Sequence, residues 1–292
     1  MTGGLYTAII TPFSNGKIDY HQLDKIIAFQ HENGADGIVL HGTTGEAPTI
    51  TFDEFVESSH YVLEKWASKL KIIIGISQNS TADILQKQNA LKLQPYAFLV
   101  TPPSYSKPTQ EGIYRHFEAV AKNTSVPIIV YNVPGRTVAD VLPETLQRIV
   151  ETLPNIIAIK DATGSFVRFS QEQFAMKSHK FFFFLTGDDG TSLHFLLSGG
   201  HGIVSVVSNI VPSSVKKMIT LAQANKKDEA FAVYFEMFNL INLLFVESNP
   251  MPVKYAMHKM GLCELEYRLP MCKPSSKLMQ EIDAELKKLN II

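Results

Sequence analysis

A lysine stands at the end of a short apolar run, at position 160 within the segment 156–164. Four apolar residues precede Lys160, and turn-forming residues follow it at once. A short apolar run bounded by turn residues indicates a strand that is buried on both faces. Burial disfavours the charged form of a lysine, so it makes a neutral, nucleophilic amine available for a Schiff base with a ketone or aldehyde. The alternative is a lysine that reaches water from a strand end.

A tyrosine at the end of the preceding apolar run is the second candidate. Alternation along a strand places Tyr131 on the same face as Ile129, and Lys160 on the same face as Ala158. If the two strands are neighbours, the phenol and the amine meet. Schiff-base formation needs proton transfer at the carbinolamine, and Tyr131 with Thr43 can form a hydrogen-bonded relay for it. A single tyrosine at this position can also be a capping aromatic.

Polar residues and glycines follow the other apolar runs. Residues 41–46 read His-Gly-Thr-Thr-Gly-Glu, and such a loop presents backbone N–H groups and hydroxyls that suit a carboxylate or a phosphate. A Gly-rich loop alone is equally consistent with a tight turn. Arg136 follows the run that contains Tyr131, and Gly187 follows a further run. Taken together, these residues form one candidate site if the ends of the runs meet.

The elements that must position these residues are eight apolar runs that alternate with helical patterns. The expected strands are residues 5–10, 37–40, 72–76, 97–100, 127–133, 156–160, 181–186 and 202–207. Asp19 and Thr51 are expected helix caps, and Pro143 and Pro212 introduce further helices. Eight strand–helix units predict a (β/α)8 TIM barrel, whose site lies at the C-terminal ends of the strands. A doubly wound open sheet is the alternative.

The strands stop beyond about residue 225. Residues 228–246 predict a helix rich in Phe, Leu and Met, and shorter helices follow. We therefore expect a barrel over residues 1–224 and a C-terminal helical appendage over residues 225–292. The Phe and Met content favours core or subunit packing over a cofactor site.

Composition excludes several classes of partner. The chain has 27 Lys+Arg and 28 Asp+Glu, so no basic excess favours nucleic acid or anionic lipid. Cys263 and Cys272 lack metal-ligand spacing and are expected to be reduced, although two cysteines could pair. We expect no signal peptide and no membrane span, and therefore a cytoplasmic protein. His41, His194 and His201 also lack metal-ligand spacing, so no metal is expected.

Three separated segments resemble the signatures of the dihydrodipicolinate synthase family, class I aldolase-type lyases of the N-acetylneuraminate lyase superfamily. The segments are residues 42–46 (Gly-Thr-Thr-Gly-Glu), 131–137 (Tyr-Asn-Val-Pro-Gly-Arg-Thr) and 159–164 (Ile-Lys-Asp-Ala-Thr-Gly). Residues 187–189, 199–202 and 249–254 also resemble that family, so the similarity covers nearly the whole chain.

The resemblance implies that Lys160 forms an imine with pyruvate. Tyr131 would relay protons with Thr43 and with Tyr105, which would reach in from a neighbouring subunit. The pyruvate carboxylate would lie on Thr43 and Thr44. A homotetramer made of two dimers is expected on the same basis.

The resemblance further implies that Arg136 orients the second substrate, L-aspartate-4-semialdehyde, and that Gly187 and Val204 contact substrate, Val204 through its backbone carbonyl. The implied reaction yields 4-hydroxy-tetrahydrodipicolinate on the diaminopimelate and lysine route. It needs no metal or other cofactor, because the protonated imine is itself the electron sink.

Two alternatives remain at this point. Neuraminate and 2-keto-3-deoxy sugar-acid lyases of the same superfamily resemble this site in lysine and tyrosine, but Arg136 favours a short acceptor with its own carboxylate. A catalytically silent pyruvate or amino-acid sensor would not need the nucleophile Lys160.

The resemblance also predicts insensitivity to lysine, because Phe52 and Phe55 stand where sensitive relatives have histidines and Ser104 stands where they have a tyrosine.

Overall fold

The eight apolar runs form eight parallel strands that close into a barrel in the computed structural model, which describes residues 3–292. A two-stranded antiparallel hairpin, β2 with β3, follows the first strand and was not predicted. In chain order the strands are β1 (Gly4–Ala8), β2 (Phe13–Ser14), β3 (Lys17–Ile18), β4 (Gly37–Leu40), β5 (Lys71–Gly75), β6 (Ala97–Val100), β7 (Ile128–Asn132), β8 (Ile156–Asp161), β9 (Phe183–Thr186) and β10 (Gly202–Ser205).

The order of strands around the barrel is β1-β10-β9-β8-β7-β6-β5-β4, and β4 pairs with β1 to close it. The predicted barrel is therefore confirmed, and the open doubly wound sheet is wrong. In a closed parallel barrel all eight strands point the same way, so their C-terminal ends meet at one face.

Helices connect the strands and continue beyond the last one. They are α1 (Tyr20–Glu32), α2 (Phe52–Trp66), α3 (Thr81–Ala90), α4 (Gln110–Lys122), α5 (Pro134–Thr137), α6 (Pro143–Thr152), α7 (Phe166–Ala175), α8 (Ser192–Leu197), α9 (Pro212–Gln223), α10 (Lys227–Leu243), α11 (Met251–Lys259) and α12 (Ser276–Lys288). The predicted caps are present: Asp19 accepts a hydrogen bond from the Gln22 N–H, and Thr51 forms a capping box with Glu54.

The sequence pattern did not predict the helices α5, α7 and α8. The first and last of these have four and six residues, too few to show a helical period. In α7 only Phe169 and Glu172 are buried, and only Phe169 is apolar, so its apolar periodicity is weak.

Side chains of the strands divide between two apolar clusters. The interior of the barrel holds Tyr6, Ala8, Val39, Ile73, Ala97, Leu99, Ile129, Tyr131, Val133, Ala158, Leu185 and Val204. The alternate residues, such as Val130 and Ile159, belong to the larger cluster between strands and helices. The predicted alternation in β7 and β8 is therefore confirmed.

Helices α10 to α12 pack into that same larger cluster. It contains Met218 of α9, Leu240 of α10, and Leu278 and Leu286 of α12. A division of the chain between residues 224 and 225 stays a prediction, because core residues of one cluster lie on both sides of it. None of the helices described is both long and apolar enough to span a membrane.

Candidate active site

Strands β7 and β8 bring Tyr131 and Lys160 together. The two residues are directly opposite in the parallel pairing of these strands. Lys160 is 6% exposed and Tyr131 is 7% exposed. The Lys160 Nζ lies 3.9 Å from the centroid of the Tyr131 ring, so the amine lies against the phenol ring. Amine and phenol therefore meet inside the barrel, as their strand positions predicted.

Gly187 follows β9 and leaves the space that Lys160 occupies. A Cβ at this position would lie 2.5 Å from the Cε of Lys160 and 3.1 Å from the Cβ of Ala162. The Gly187 N–H donates to the carbonyl of Asp161 at 2.7 Å, which holds the glycine beside β8. Gly187 thus contacts the predicted nucleophile, while its contact with a substrate stays a prediction.

The loop of residues 42–46, here called the carboxylate loop, follows β4. The N–H of Glu46 donates to the carbonyl of Thr43 at 3.1 Å, and the φ of Glu46 is 54°. Thr44 is buried, and its Oγ1 accepts a hydrogen bond from the Asn249 Nδ2 at 3.0 Å. A left-handed backbone is uncommon for a residue other than glycine, so packing around Glu46 must maintain it.

A cavity of about 710 Å³ opens next to the carboxylate loop. Its lining includes Thr43, Tyr131 and Arg136, so three predicted site residues share one space. Arg136 Nη2 donates to the backbone carbonyl of Asn249 at 3.4 Å. Tyr131 both lines this cavity and contacts Lys160, and it therefore connects the two parts of the site.

The two remaining predicted residues, Val204 and Tyr105, differ in exposure: Val204 is buried and Tyr105 is exposed. Val204 on β10 is 1% exposed and lies in the interior cluster, opposite Tyr6 in the strand pairing. Tyr105 is 88% exposed, with a φ of 68°, and its N–H donates to the carbonyl of Thr137 at 3.1 Å. The phenol of Tyr105 thus points to solvent in the single chain. Its role in the site stays a prediction that requires a second subunit.

The histidines considered for metal binding have packing contacts. His41 Nε2 lies 3.0 Å from the Ser58 Oγ, and burial lowers the pKa of His41 to about 3. His201 Nδ1 accepts a hydrogen bond from the Phe184 N–H at 3.0 Å, and its ring stacks on Phe184. His194 makes an edge contact with Phe231 at 5.4 Å.

The structure adds a buried ion pair that sequence analysis gave no role. Lys254 Nζ lies 2.5 Å from Glu46 Oε1, and the two side chains are 0% and 1% exposed. Burial lowers the pKa of Lys254, and the adjacent Glu46 opposes this change. The sequence contains one indication of this ion pair, because Lys254 interrupts the apolar pattern of α11.

A buried carboxyl group behind β8 was also missed. Glu172 on α7 is fully buried, and no donor in residues 3–292 reaches either of its carboxylate oxygens. Burial, followed by the charge of Asp161, raises the pKa of Glu172 to about 9. Its side chain is therefore neutral at pH 7.

Comparisons with known proteins agree on one family. The sequence model of the dihydrodipicolinate synthetase family matches residues 1–289. A 4-hydroxy-tetrahydrodipicolinate synthase of Kosmotoga olearia is 37% identical over 294 residues, which is 100% of both chains. A solved structure of chloride-inhibited dihydrodipicolinate synthase from Acinetobacter baumannii, complexed with pyruvate, has a TM-score of 0.95 at 36% identity and 100% coverage of both chains. A monomeric dihydrodipicolinate synthase variant has a TM-score of 0.97 at 36% identity, over 100% of this chain and 98% of its own.

Proposed function

This chain belongs to the dihydrodipicolinate synthetase family, and we propose that it condenses pyruvate with L-aspartate-4-semialdehyde to 4-hydroxy-tetrahydrodipicolinate. The observation that carries the proposal is the placement of Lys160 Nζ 3.9 Å from the Tyr131 ring, on neighbouring strands beside the carboxylate loop. A buried amine next to a phenol supports Schiff-base chemistry. Full-length relatives that carry the name of this lyase support the same reaction.

Lys160 starts the reaction by attack on the ketone carbon of pyruvate. The carbinolamine loses water to give an iminium ion, and Tyr131 with Thr43 transfers the protons that this step requires. The iminium ion accepts the electron pair that remains when a methyl proton is lost, so an enamine forms. The enamine carbon then attacks the aldehyde carbon of the second substrate.

The carboxylates of the two substrates have separate partners in this proposal. Thr43 and Thr44 receive the carboxylate of pyruvate on backbone N–H groups and hydroxyls. Arg136, which lines the same cavity, receives the carboxylate of the semialdehyde. The amino group of the bound semialdehyde finally displaces Lys160 by transimination, and this closes the six-membered ring.

The proposal includes a dimer in which Tyr105 enters the site of the other subunit, and a tetramer made of two such dimers. It also includes a cytoplasmic location. The support for the dimer is the exposure of Tyr105, 88%, on a loop that its N–H fixes to Thr137. The support for the location is the biosynthetic activity proposed here.

Trapping of the imine tests the function directly. Borohydride reduction in the presence of pyruvate is expected to add the mass of a reduced pyruvate to the peptide that contains Lys160, and to abolish turnover. Lys87→Met is the matched control, because Lys87 is also 6% exposed but lies on α3 against Phe55. This variant should still be trapped. Label on a different lysine, or faster cleavage of N-acetylneuraminate than condensation with the semialdehyde, would contradict the proposal.

A further inference from the structure

The carboxylate loop is attached to the C-terminal region by a buried ion pair. Glu46 Oε1 contacts Lys254 Nζ at 2.5 Å, and Glu46 Oε2 accepts a hydrogen bond from the Arg268 N–H at 3.3 Å. Lys254 Nζ also donates to the carbonyl of Glu266 at 2.8 Å and lies 4.3 Å from the centroid of the Phe13 ring. Both charged groups therefore have polar partners although neither reaches solvent.

A second contact joins the same two parts of the chain. Asn249, which is 5% exposed, donates from Nδ2 to the Oγ1 of Thr44 at 3.0 Å. Because the Thr44 oxygen accepts this bond, its own hydroxyl hydrogen is free to donate to a carboxylate. The carbonyl of Asn249 in turn accepts from Arg136 Nη2 at 3.4 Å. One C-terminal residue thus contacts the predicted partners of both substrates.

These contacts maintain an unfavourable backbone conformation in the carboxylate loop. Glu46 has a φ of 54°, a left-handed conformation that is unfavourable for a residue with a Cβ. Such a conformation persists where surrounding contacts impose it. The Glu46 carboxylate is fixed by Lys254 and the Arg268 backbone, so these contacts determine where the preceding residues, Thr43 and Thr44, present their donors.

We propose that Glu46, Lys254 and Asn249 are positioning residues that hold Thr43 and Thr44 in the geometry that binds the carboxylate of pyruvate. The C-terminal helical region then has a direct part in substrate binding, in addition to its packing on the barrel. This inference rests on the proposed function, since it assigns pyruvate to the carboxylate loop.

Variants of the Glu46–Lys254 ion pair distinguish its effect on the position of the carboxylate loop from its effect on the stability of the fold. Lys254→Met or Glu46→Gln alone leaves one buried charge without its partner, and we expect a large loss of Tm. The double variant Glu46→Gln with Lys254→Met buries no unpaired charge, so Tm should recover in part. The loop has still lost its ionic anchor in this double variant, and we expect pyruvate binding to remain weak.

The measurement is the dependence of borohydride trapping at Lys160 on pyruvate concentration, in protein that circular dichroism shows to be folded. We expect the half-saturating pyruvate concentration of the double variant to rise by about tenfold or more, because small displacements of positioned donors have large effects. The KM for the semialdehyde should change by less than about twofold, since Arg136 is retained. Asn249→Ala removes only the Thr44 contact, and a rise of about threefold or more is expected for it.

Lys216→Met is the matched control. Its Nζ pairs with Asp36 Oδ2 at 2.6 Å between α9 and the residues before β4, away from the carboxylate loop. Because this pair is partly exposed, the variant should lose little stability, and it should keep the pyruvate dependence of the wild type. The inference would be overturned if the wild type is trapped but the half-saturating pyruvate concentration is unchanged in the folded double variant or in Asn249→Ala. The proposed function would then remain intact. Absence of trapping in the wild type would overturn both.

Discussion

At the scale of single residues, contacts on two sides position the side chain of Lys160. The ring of Tyr131 lies 3.9 Å from its Nζ, and Gly187 leaves room beside its Cε. Packing of this kind restricts the amine to the interior of the barrel, where a ketone carbon can approach it next to a phenol. Replacement of either neighbour would therefore change the direction of the amine as well as the local chemistry.

Arg136 is expected to act on the second substrate. If its guanidinium binds the carboxylate of the semialdehyde, Arg136→Ala should impair condensation far more than imine formation. Loss of a charge-assisted contact should cost on the order of 2–4 kcal/mol in transition-state binding. The measurements are kcat/KM for the semialdehyde and borohydride trapping with pyruvate alone. Arg148→Ala is the control, because Arg148 packs on Tyr114 and pairs with Glu111 on the outer helices. Equal damage to both measurements would mean that Arg136 supports the fold.

Glu172 predicts an unusual dependence of stability on pH. Its pKa is about 9 in the folded protein and near the ordinary glutamate value of 4.5 when unfolded, so the folded state binds more protons between these two values. Each unit of rising pH in this window lowers the free energy of unfolding by about 1.4 kcal/mol. The stability associated with the protonated group is fully present below pH 4.5 and is lost as pH rises towards 9.

Glu172→Gln should remove this dependence, because the amide has the same shape and stays neutral at every pH. We expect an increase in the free energy of unfolding of up to about 3 kcal/mol at pH 7, and little change at pH 5. Urea unfolding at several pH values measures it. The exposed residue Glu144 provides the control Glu144→Gln, which should lower stability by at most about 1 kcal/mol and by the same amount at pH 5 and pH 7. Equal effects of Glu172→Gln at both pH values would show that Glu172 does not bind a proton on folding.

At the scale of the element, helix α2 follows the carboxylate loop and carries Phe52 and Phe55. A 3-10 turn at Ala47–Thr49 separates the loop from this helix, and the capping box of Thr51 and Glu54 then fixes its first turn. Phe55 is fully buried in this turn, and Phe52 is 38% exposed. The Phe55 ring lies 5.1 Å from the ring of His41 and 4.6 Å from Lys87 Nζ. This position of the helix therefore offers a packed aromatic ring and no hydrogen-bonding group.

We expect condensation to be insensitive to lysine for this reason. A zwitterionic ligand must replace its hydration with hydrogen bonds, and each one that is missing costs roughly 1–3 kcal/mol. Phe52 and Phe55 provide none from their side chains. The cavity still contains Asn79, Asp83 and Ser104, with Ser104 hydrogen-bonded to Asn79. Titration of lysine into the condensation assay measures the effect, and strong inhibition by sub-millimolar lysine would contradict the prediction.

At the scale of the whole molecule, Tyr105 is one of several exposed apolar side chains. It is 88% exposed, and its N–H bonds to Thr137, whose chain neighbour Val138 is 57% exposed. The proposed relay requires that a second copy of the chain cover Tyr105 and receive its phenol in the neighbouring site.

Activity is therefore expected to depend on assembly. Sedimentation should detect a dimer or tetramer at assay concentrations, and dilution that dissociates it should reduce kcat. Tyr105→Phe removes only the hydroxyl, so it should lower kcat while the assembly persists. A fully active monomer, or a Tyr105→Phe variant with unchanged kcat, would exclude the shared relay.

The sequence by itself determined the barrel and the central pair of its site. The strands are short apolar runs, and their alternation follows from the geometry of the extended backbone, so β4 and β6 have the predicted bounds. The pairing of Tyr131 with Lys160 follows in the same way, because consecutive strands of a parallel barrel are neighbours. Local pattern and one rule of topology are sufficient for these features.

Only the tertiary structure decided which distant residues lie against the carboxylate loop and behind β8. Lys254 and Glu46 are 208 residues apart in the chain, and Asn249 and Thr44 are 205 apart. Glu172 is buried next to Asp161 by the packing of a helix with little apolar periodicity. Periodicity reports which face of an element is buried, but it does not report which distant residue lies against that face. Contacts of this kind depend on the closure of the barrel and on the packing of α7 and α11 against it.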